Sequence, residues 1–527
     1  MIDSISINNL RSLNGGKVNI KPITVLVGKN SSGKSSFLRV FPLLRQSVES
    51  NTIGPILWYG KYVDFGAFSE AINRNSESKN IKFSFNFMLN KSKLLKINKN
   101  TRILEELFYI ENINTNFLTD INLEIIEKSG KTILKSLEII FDKEQIFIEQ
   151  DNDFVTKFKI NNNDIELKDK DFIQIQKERF VPCLMIKYRD IRIINNEIKK
   201  INNWSDRFVM EHMMETSIKK LKHYFGDTKE EDIKKFLINI GISKKENLEY
   251  NLMKVFQKDK IFFKNIIINK EEIINNFYSC LIGIYINDIL NAINNELTMI
   301  FKGIKYIAPL RATAQRYYRF QDLQVDEIDH EGSNLAMLLN SLTDTEKKEF
   351  NMWTKDNLGF ILKVNKEGLH YSLKIKIDDN KEEYNISDMG FGFSQISPII
   401  AMLWLETYKN KKNRLNNSII FTIEQPELHL HPRFQAKLTK LFVNIIKYSK
   451  KSSKNIKIIF ETHSNTMIET LGECIEKNEI SNNDVSIILF EKEKLNSQTE
   501  IKISSFDEEG YLTNWPIGFF SGEDNAY

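Results

Sequence analysis

Gly28-Lys29-Asn30-Ser31-Ser32-Gly33-Lys34-Ser35 is a complete G-x-x-x-x-G-K-S, and no other feature of the chain constrains its fold as tightly. It follows a short apolar run, Ile23-Thr24-Val25-Leu26-Val27, and precedes a helical pattern through Phe37, Leu38, Phe41, Leu43 and Leu44. The run reads as a strand buried on both faces. Strand, glycine turn and helix in that order form the context in which this motif cradles phosphate; a plain Gly/Ser turn is the alternative that this context disfavours. The glycines let the backbone curl so that successive N–H groups face an anion, and the helix start adds partial positive charge. Gly28, Lys29, Asn30, Ser31, Ser32, Gly33, Lys34, Ser35 and Ser36 are therefore the predicted ATP-binding residues. Lys34 is expected to reach the β- and γ-phosphates and the Ser35 hydroxyl to ligate Mg²⁺.

A second apolar run, Ser418-Ile419-Ile420-Phe421-Thr422-Ile423, ends in Glu424-Gln425-Pro426-Glu427-Leu428-His429-Leu430-His431-Pro432. An acid at the tip of a buried strand is what a Walker B site requires, so Glu424 is expected beside the phosphate loop as a Mg²⁺ ligand. Glu427 is a second carboxylate that could polarise water, or else a first-turn acid serving only a helix dipole after Pro426. His429 and His431 lack further ligands at zinc spacing and read as hydrogen-bonding groups. Phe460-Glu461-Thr462-His463-Ser464 closes another apolar strand, and His463 at its tip could hold the attacking water.

Around these ends the pattern changes. From about 80 to 190, short period-2 segments such as Ile81-Lys82-Phe83-Ser84-Phe85-Asn86-Phe87 predict antiparallel strands, and from about 196 to 300 the spacing turns helical. The expected fold is α/β, an ABC-type P-loop head split by an insertion. Residues 1–75 and 301–527 form the head, 76–195 a β-rich insertion and 196–300 a helical one. A net charge of +4 over 527 residues gives no support for bulk-charge nucleic-acid binding. Cys183, Cys280 and Cys474 fit neither a disulfide framework nor a cysteine zinc site. No leader-like start and no run of roughly 18 apolar residues occurs, so a cytoplasmic location without a membrane span is expected.

Ile386-Ser387-Asp388-Met389-Gly390-Phe391-Gly392-Phe393-Ser394-Gln395 opens a helix ahead of the Glu424 strand and offers a backbone-rich anion cradle. The order of phosphate loop, glycine cradle, acidic strand and histidine resembles the ABC-type ATPase heads of the SMC, RecF and OLD-like families. The wording of Val27–Ser35, Tyr306-Ile307-Ala308-Pro309-Leu310-Arg311, Gly390–Gln395, Ile423–Pro432, Glu461–Ser464 and Asp507–Phe520 is most similar to AAA-type defence ATPases of prokaryotes. These include PtuA of Septu systems and the ATPases carried with retrons. The resemblance implies a homodimer that sandwiches ATP, with Gly390, Gly392, Ser394 and Gln395 acting in trans as the signature. It also implies an anti-phage sensor or gate for a separate effector, such as an HNH-type nuclease, with retron RNA/DNA or phage DNA as a further partner.

Two departures from that family stand out. Gln425 occupies the position of the usual catalytic Glu and cannot take a proton as a carboxylate does. Either Glu427 replaces it, or hydrolysis is slow and ATP acts mainly as a clamp. No clear Q-loop is present either: Gln46 lies near the loop, and the Asp64-Phe65-Gly66 turn has no glutamine. Residues 464–527 are too few for the Toprim domain of OLD nucleases, so any nuclease is expected on another chain. The competing reading is a RecF/SMC-like clamp on DNA, which near-neutral charge and the lack of long heptads disfavour.

Overall fold

Five apolar runs of the two chain ends assemble into one parallel sheet, because helices cover both of its faces. Across the sheet the order is Ile304–Ile307, Ser418–Glu424, Asn455–Glu461, Ile23–Gly28 and Val485–Glu491. Antiparallel strands Glu500–Phe506 and Leu512–Thr513 extend the last edge. The computed structural model describes residues 1–516 apart from 53, 91–115, 152–153, 162, 166–171, 176–178, 195–196, 313, 320–324, 369, 378–381, 410–417, 453, 493 and 495–496. The end of the tail that matched the family wording, residues 517–520, lies outside the described residues.

Side chains alternate across this sheet even though the runs are continuously apolar. Val25, Val27, Phe421, Ile423, Ile458 and Phe460 enter one core with helices Phe391–Trp404, Pro432–Lys451 and Asn465–Glu476. Leu26, Ile420, Ile459, Ile488 and Phe490 enter the other, together with Phe37 and Phe41. Phe37 sets its ring 5.5 Å from Phe490 and so fixes the helix that follows the phosphate loop. Burying such a ring is worth about 1.5–3 kcal/mol.

The second core joins the head to the insertion. Ile2–Leu10 pairs with Asn80–Asn90, and the ladder runs on through Asn116–Lys128, Lys131–Phe141, Glu144–Asp151 and Phe154–Ile160 as one antiparallel sheet. Ile81, Phe83, Phe85 and Phe87 of the period-2 segment all lie on the buried face, and Leu89 continues it. The β-rich insertion is thus an extension of a sheet that the first strand of the head begins. The helical part starts at Arg207; Glu197–Ser205, which the spacing assigned to it, is a strand paired with Cys183–Ile194. Helix Ile286–Lys302 returns across this sheet, with Phe301 against Phe85 and Phe180. Among the described residues no single helix is long and apolar enough to cross a membrane; the pair Lys270–Ile284 and Ile286–Lys302 is bent by 64°.

Candidate nucleotide-binding site

The loop at Gly28–Ser35 closes on itself. Lys34 Nζ donates to the carbonyls of Gly28 and Lys29, each at 2.8 Å, and its helix starts at once, capped by Gly33 at φ 108°. Glycine is required at Gly28 because a Cβ there would lie 2.3 Å from the Phe490 carbonyl of the neighbouring strand. Burial pushes the Lys34 ammonium below its usual range against the pull of Glu461. Above the loop is a cavity of about 940 Å³ lined by Asn30 through Ser36, with Gln425, Glu461 and His463 on one side and Arg11, Phe65, Arg74 and Lys492 on others. Arg11 lies over the Phe65 ring at 4.5 Å. Gln46 does not reach the cavity: it is buried, accepts from the N–H groups of Tyr62 and Val63, and so ties down the turn that carries Asp64-Phe65-Gly66.

Two acids end neighbouring parallel strands, Glu424 opposite Glu461 in register, and their surroundings differ. The Glu461 strand is the one next to the phosphate-loop strand; the Glu424 strand is one further out. Glu424 is 2% exposed and has both oxygens engaged. Arg39 grips it with Nε at 2.8 Å and Nη2 at 2.9 Å, and Tyr306 donates its hydroxyl at 2.7 Å. That fork holds the Arg39 guanidinium charged far above neutrality. Glu461 instead accepts the Ser35 hydroxyl on Oε1 at 3.0 Å, while Oε2 is buried without a hydrogen-bond partner. Burial raises its carboxyl above the usual range, opposed by the Ser35 hydrogen bond and Lys34. The described structure therefore brings Ser35 to Glu461 and keeps Glu424 behind it on Arg39.

Glu427 sits in a turn, and the following helix starts only at Pro432, so it is no first-turn helix acid. Its Oε1 accepts the backbone N–H of His463 at 2.8 Å and its Oε2 is buried and unpartnered. Burial raises its carboxyl as well. His463 faces the cavity, and burial together with Lys34 lowers its imidazole, which keeps the ring neutral at pH 7. His431 caps the Pro432–Lys451 helix through Nδ1, and His429 is exposed beside Phe391. Gln425 lies at φ 42° on the cavity wall.

Gly390, at φ 83°, opens the helix Phe391–Trp404. Gly392 packs so closely that a Cβ would stand 2.9 Å from the His429 carbonyl. Ser394 and Gln395 are buried in their own subunit, Gln395 donating to the Arg311 carbonyl at 3.3 Å. The exposed polar face of this cradle is Ser387, Asp388 and Gly390. Arg311 in turn donates to the Glu424 carbonyl at 2.7 Å, and burial lowers its pKa to about 10. Arg11, Arg39, Tyr306, Arg311 and Glu461 received no role from the sequence. Glu461 was legible by the logic applied to Glu424, an acid closing a buried apolar strand.

Hard oxygen donors at Ser35 and Glu461 suit Mg²⁺, which prefers oxygen ligands and retains water. The family comparison agrees with a nucleotide site. The family model described as "AAA ATPase domain" matches residues 1–468, and one described as "Protein of unknown function (DUF3696)" matches residues 480–526. None of the curated proteins matches the chain. Among solved structures, it is similar to the Smc head domain of Pyrococcus furiosus, with an extended coiled coil bound to the C-terminal domain of ScpA (10% identity, 96% of each chain, TM-score 0.34). It is similar also to the SMC head domain from Thermotoga maritima (9% identity, 96% of this chain and 99% of that one, TM-score 0.34). A third is the recombination mediator protein RecF-ATPrS of the RecFOR pathway (11% identity, 95% and 98%, TM-score 0.27). With the family model spanning the strand, loop, cradle and both acidic tips, this chain belongs to the AAA ATPase domain family.

Proposed function

We propose that the chain binds ATP with Mg²⁺ and hydrolyses it slowly, working in the cytoplasm as the sensor or gate of a separate effector in anti-phage defence. The observation that carries the nucleotide part is one cavity that gathers the phosphate loop, Lys34, Ser35, an acid, Gln425 and His463. Backbone N–H groups of Gly28–Ser36 hold the phosphates, and Lys34 exchanges its loop carbonyls for phosphate oxygens. Ser35 presents the metal, which when bound neutralises charge on the β- and γ-phosphates. His463, held by Glu427 through its backbone, orients the attacking water. Gln425 can hydrogen-bond that water without taking its proton, which is the reason for slow turnover.

A second copy completes the site by offering Ser387–Gly390 and the start of helix Phe391–Trp404 to the γ-phosphate in trans. The family resemblance of the motif wording supports the defence role and an effector of the HNH-nuclease kind, with retron or phage nucleic acid as a further component. Exposed apolar side chains Ile261, Ile267 and Ile268 on helix Lys260–Ile268 give the insertion a surface suited to a protein partner.

ATP turnover at saturating Mg²⁺, with Lys34→Ala as the blank, tests the reading. Lys34-dependent turnover, or Lys34-dependent ATP binding that turns over only with an effector, is expected. A chain that binds no ATP overturns it. ATP-dependent binding of duplex DNA with a steep salt slope shifts the reading to a RecF/SMC-like clamp.

A further inference from the structure

We propose that Arg311 is a positioning residue for hydrolysis: it aims the turn that carries Gln425 and Glu427, and through Gln395 it ties that turn to the cradle helix Phe391–Trp404. The proposal rests on the ATP-hydrolysing reading and names a residue that serves it without touching nucleotide. Arg311 follows the outer strand Ile304–Ile307 and is 4% exposed, a burial that an arginine tolerates only where its charge is used. Its backbone is pinned on both sides, because Ala308 and Ala312 donate to the His330 and Glu331 carbonyls, each at 2.8 Å. Its own carbonyl accepts the Gln395 side chain at 3.3 Å. The stem of the guanidinium is therefore fixed.

From that stem Arg311 reaches the end of the Ser418–Glu424 strand. Its Nη2 donates to the Glu424 carbonyl at 2.7 Å and more weakly to the Gln425 carbonyl at 3.4 Å. Gln425 stands at φ 42°, a left-handed conformation that a non-glycine residue keeps only when its surroundings hold it there. Its N–H donates to the Glu461 carbonyl at 3.0 Å, and its C=O accepts from Leu428 at 3.2 Å as well as from Arg311. These bonds hold the backbone from which Gln425 lines the cavity. Two residues on, Glu427 accepts the His463 N–H and so keeps His463 at the same wall. Arg311 thus acts on two groups of the cavity without lining it.

Polar atoms of this cluster are buried without a hydrogen-bond partner, and they match in kind. Nε and Nη1 of Arg311 are donors; Oε1 of Gln395 and Oε2 of Glu427 are acceptors. The charges of Glu427 and Glu424 both act on Arg311, and the Thr462 hydroxyl lies beside Glu427. Unspent donors and acceptors in a buried network are costly unless a neighbouring setting of the same parts uses them. A shift of the cradle helix reaches Arg311 through Gln395, and a closure of Arg311 on Glu427 draws on the carboxylate that holds His463. The guanidinium stands between the two elements that hydrolysis has to bring into register, the cradle helix and the turn that holds the water.

The test separates binding from chemistry. ATP affinity and the single-turnover hydrolysis rate, both with Mg²⁺, are measured for the wild-type chain, Arg311→Met, Arg311→Lys, Gln395→Leu and the double variant Arg311→Lys with Gln395→Leu. Each single variant is expected to bind ATP within about threefold of the wild type, because neither residue lines the cavity. Arg311→Met is expected to slow the chemical step by about thirtyfold or more, a loss of rate without loss of binding. Arg311→Lys keeps the charge but not the fork, and should recover part of that loss. Gln395→Leu should slow the step by about fivefold, and should add less than that to Arg311→Lys, since both act through one side chain. A normal rate in Arg311→Met, affinity lost in step with rate in Arg311→Lys and Gln395→Leu, or slowing that multiplies in the double variant overturns the inference. Should Arg311→Met not fold, Arg311→Lys and Gln395→Leu decide by the same criteria. A wild-type chain that binds no ATP removes the reading itself. A wild type that binds ATP without turnover shifts the readout to amide hydrogen exchange of residues 424–430 in the ATP-bound chain. Arg311→Lys and Gln395→Leu should each then speed exchange by about fivefold at unchanged affinity, and unchanged exchange overturns the inference.

Discussion

Arg39→Ala isolates the energetic logic of the paired acids. In the wild type, Arg39 gives Glu424 two charge-assisted hydrogen bonds at 2.8 and 2.9 Å. Removing one partner of a fully buried pair costs roughly 3–5 kcal/mol, because the remaining charge is left unpaired. Arg39 is 35% exposed against 2% for Glu424, so water already screens part of the interaction. With that discount and the surviving Tyr306 hydrogen bond, about 2 kcal/mol is the expected loss. Thermal unfolding reads it as roughly 2–4 °C per kcal/mol in a cooperative unit of 150–250 residues. The diagnostic variant is the double, Arg39→Ala with Glu424→Gln. A neutral amide bears desolvation far better than a carboxylate, so the double mutant should be more stable than Arg39→Ala alone. If it is less stable, or if Arg39→Ala by itself leaves the transition unchanged, then Glu424 is not held as a buried anion and the division of labour between the two acids fails.

Three further outcomes follow from the same geometry. Gln425→Glu restores a carboxylate on the cavity wall at the position of the missing base, and should raise single-turnover ATP hydrolysis by ~10²-fold or more, within the ~10²–10⁴ range of general base catalysis. Gly28→Ala forces a Cβ to 2.3 Å from the Phe490 carbonyl at φ 151°, so the loop strand must part from Val485–Glu491; ATP binding should vanish and unfolding should come at lower temperature. The third concerns pH. Burial raises the Glu461 carboxyl, so the folded state binds its proton more tightly than the unfolded chain does. The wild type, measured against Glu461→Gln in EDTA, should be relatively most stable below the ordinary Glu value of about 4.3, and should lose that advantage as pH rises through the raised value. A stability difference that is flat or grows across that window contradicts a desolvated Glu461. Metal-dependent ATP affinity should run the other way, falling as acidification protonates the same carboxyl.

Local pattern made part of this site legible and hid the rest for a definite reason. The strand, loop and helix of Ile23–Leu44 need only near neighbours in sequence, and Asn30 to Ser36 line the cavity above the loop. The same is true of the buried period-2 face from Ile81 to Leu89. Which acid meets Ser35 is a different kind of question, because it depends on strand order. In a parallel sheet, consecutive strands need not be adjacent, since a crossover helix can carry the chain past a neighbour. Here the Glu461 strand inserts between the Glu424 strand and the loop strand, and that insertion transfers the Ser35 contact. Arg39, Tyr306 and Arg311 were invisible for the same reason, as each acts on Glu424 across more than a hundred residues of chain. Their chemistry nonetheless carried a trace. Two acids closing two buried strands cannot both remain charged side by side without cations. The sequence holds an arginine, Arg39, directly after the loop helix, and it reaches the farther acid. The register Glu424↔Glu461 and the location of Arg39 together decide which carboxylate meets Ser35 and which is held by the arginine.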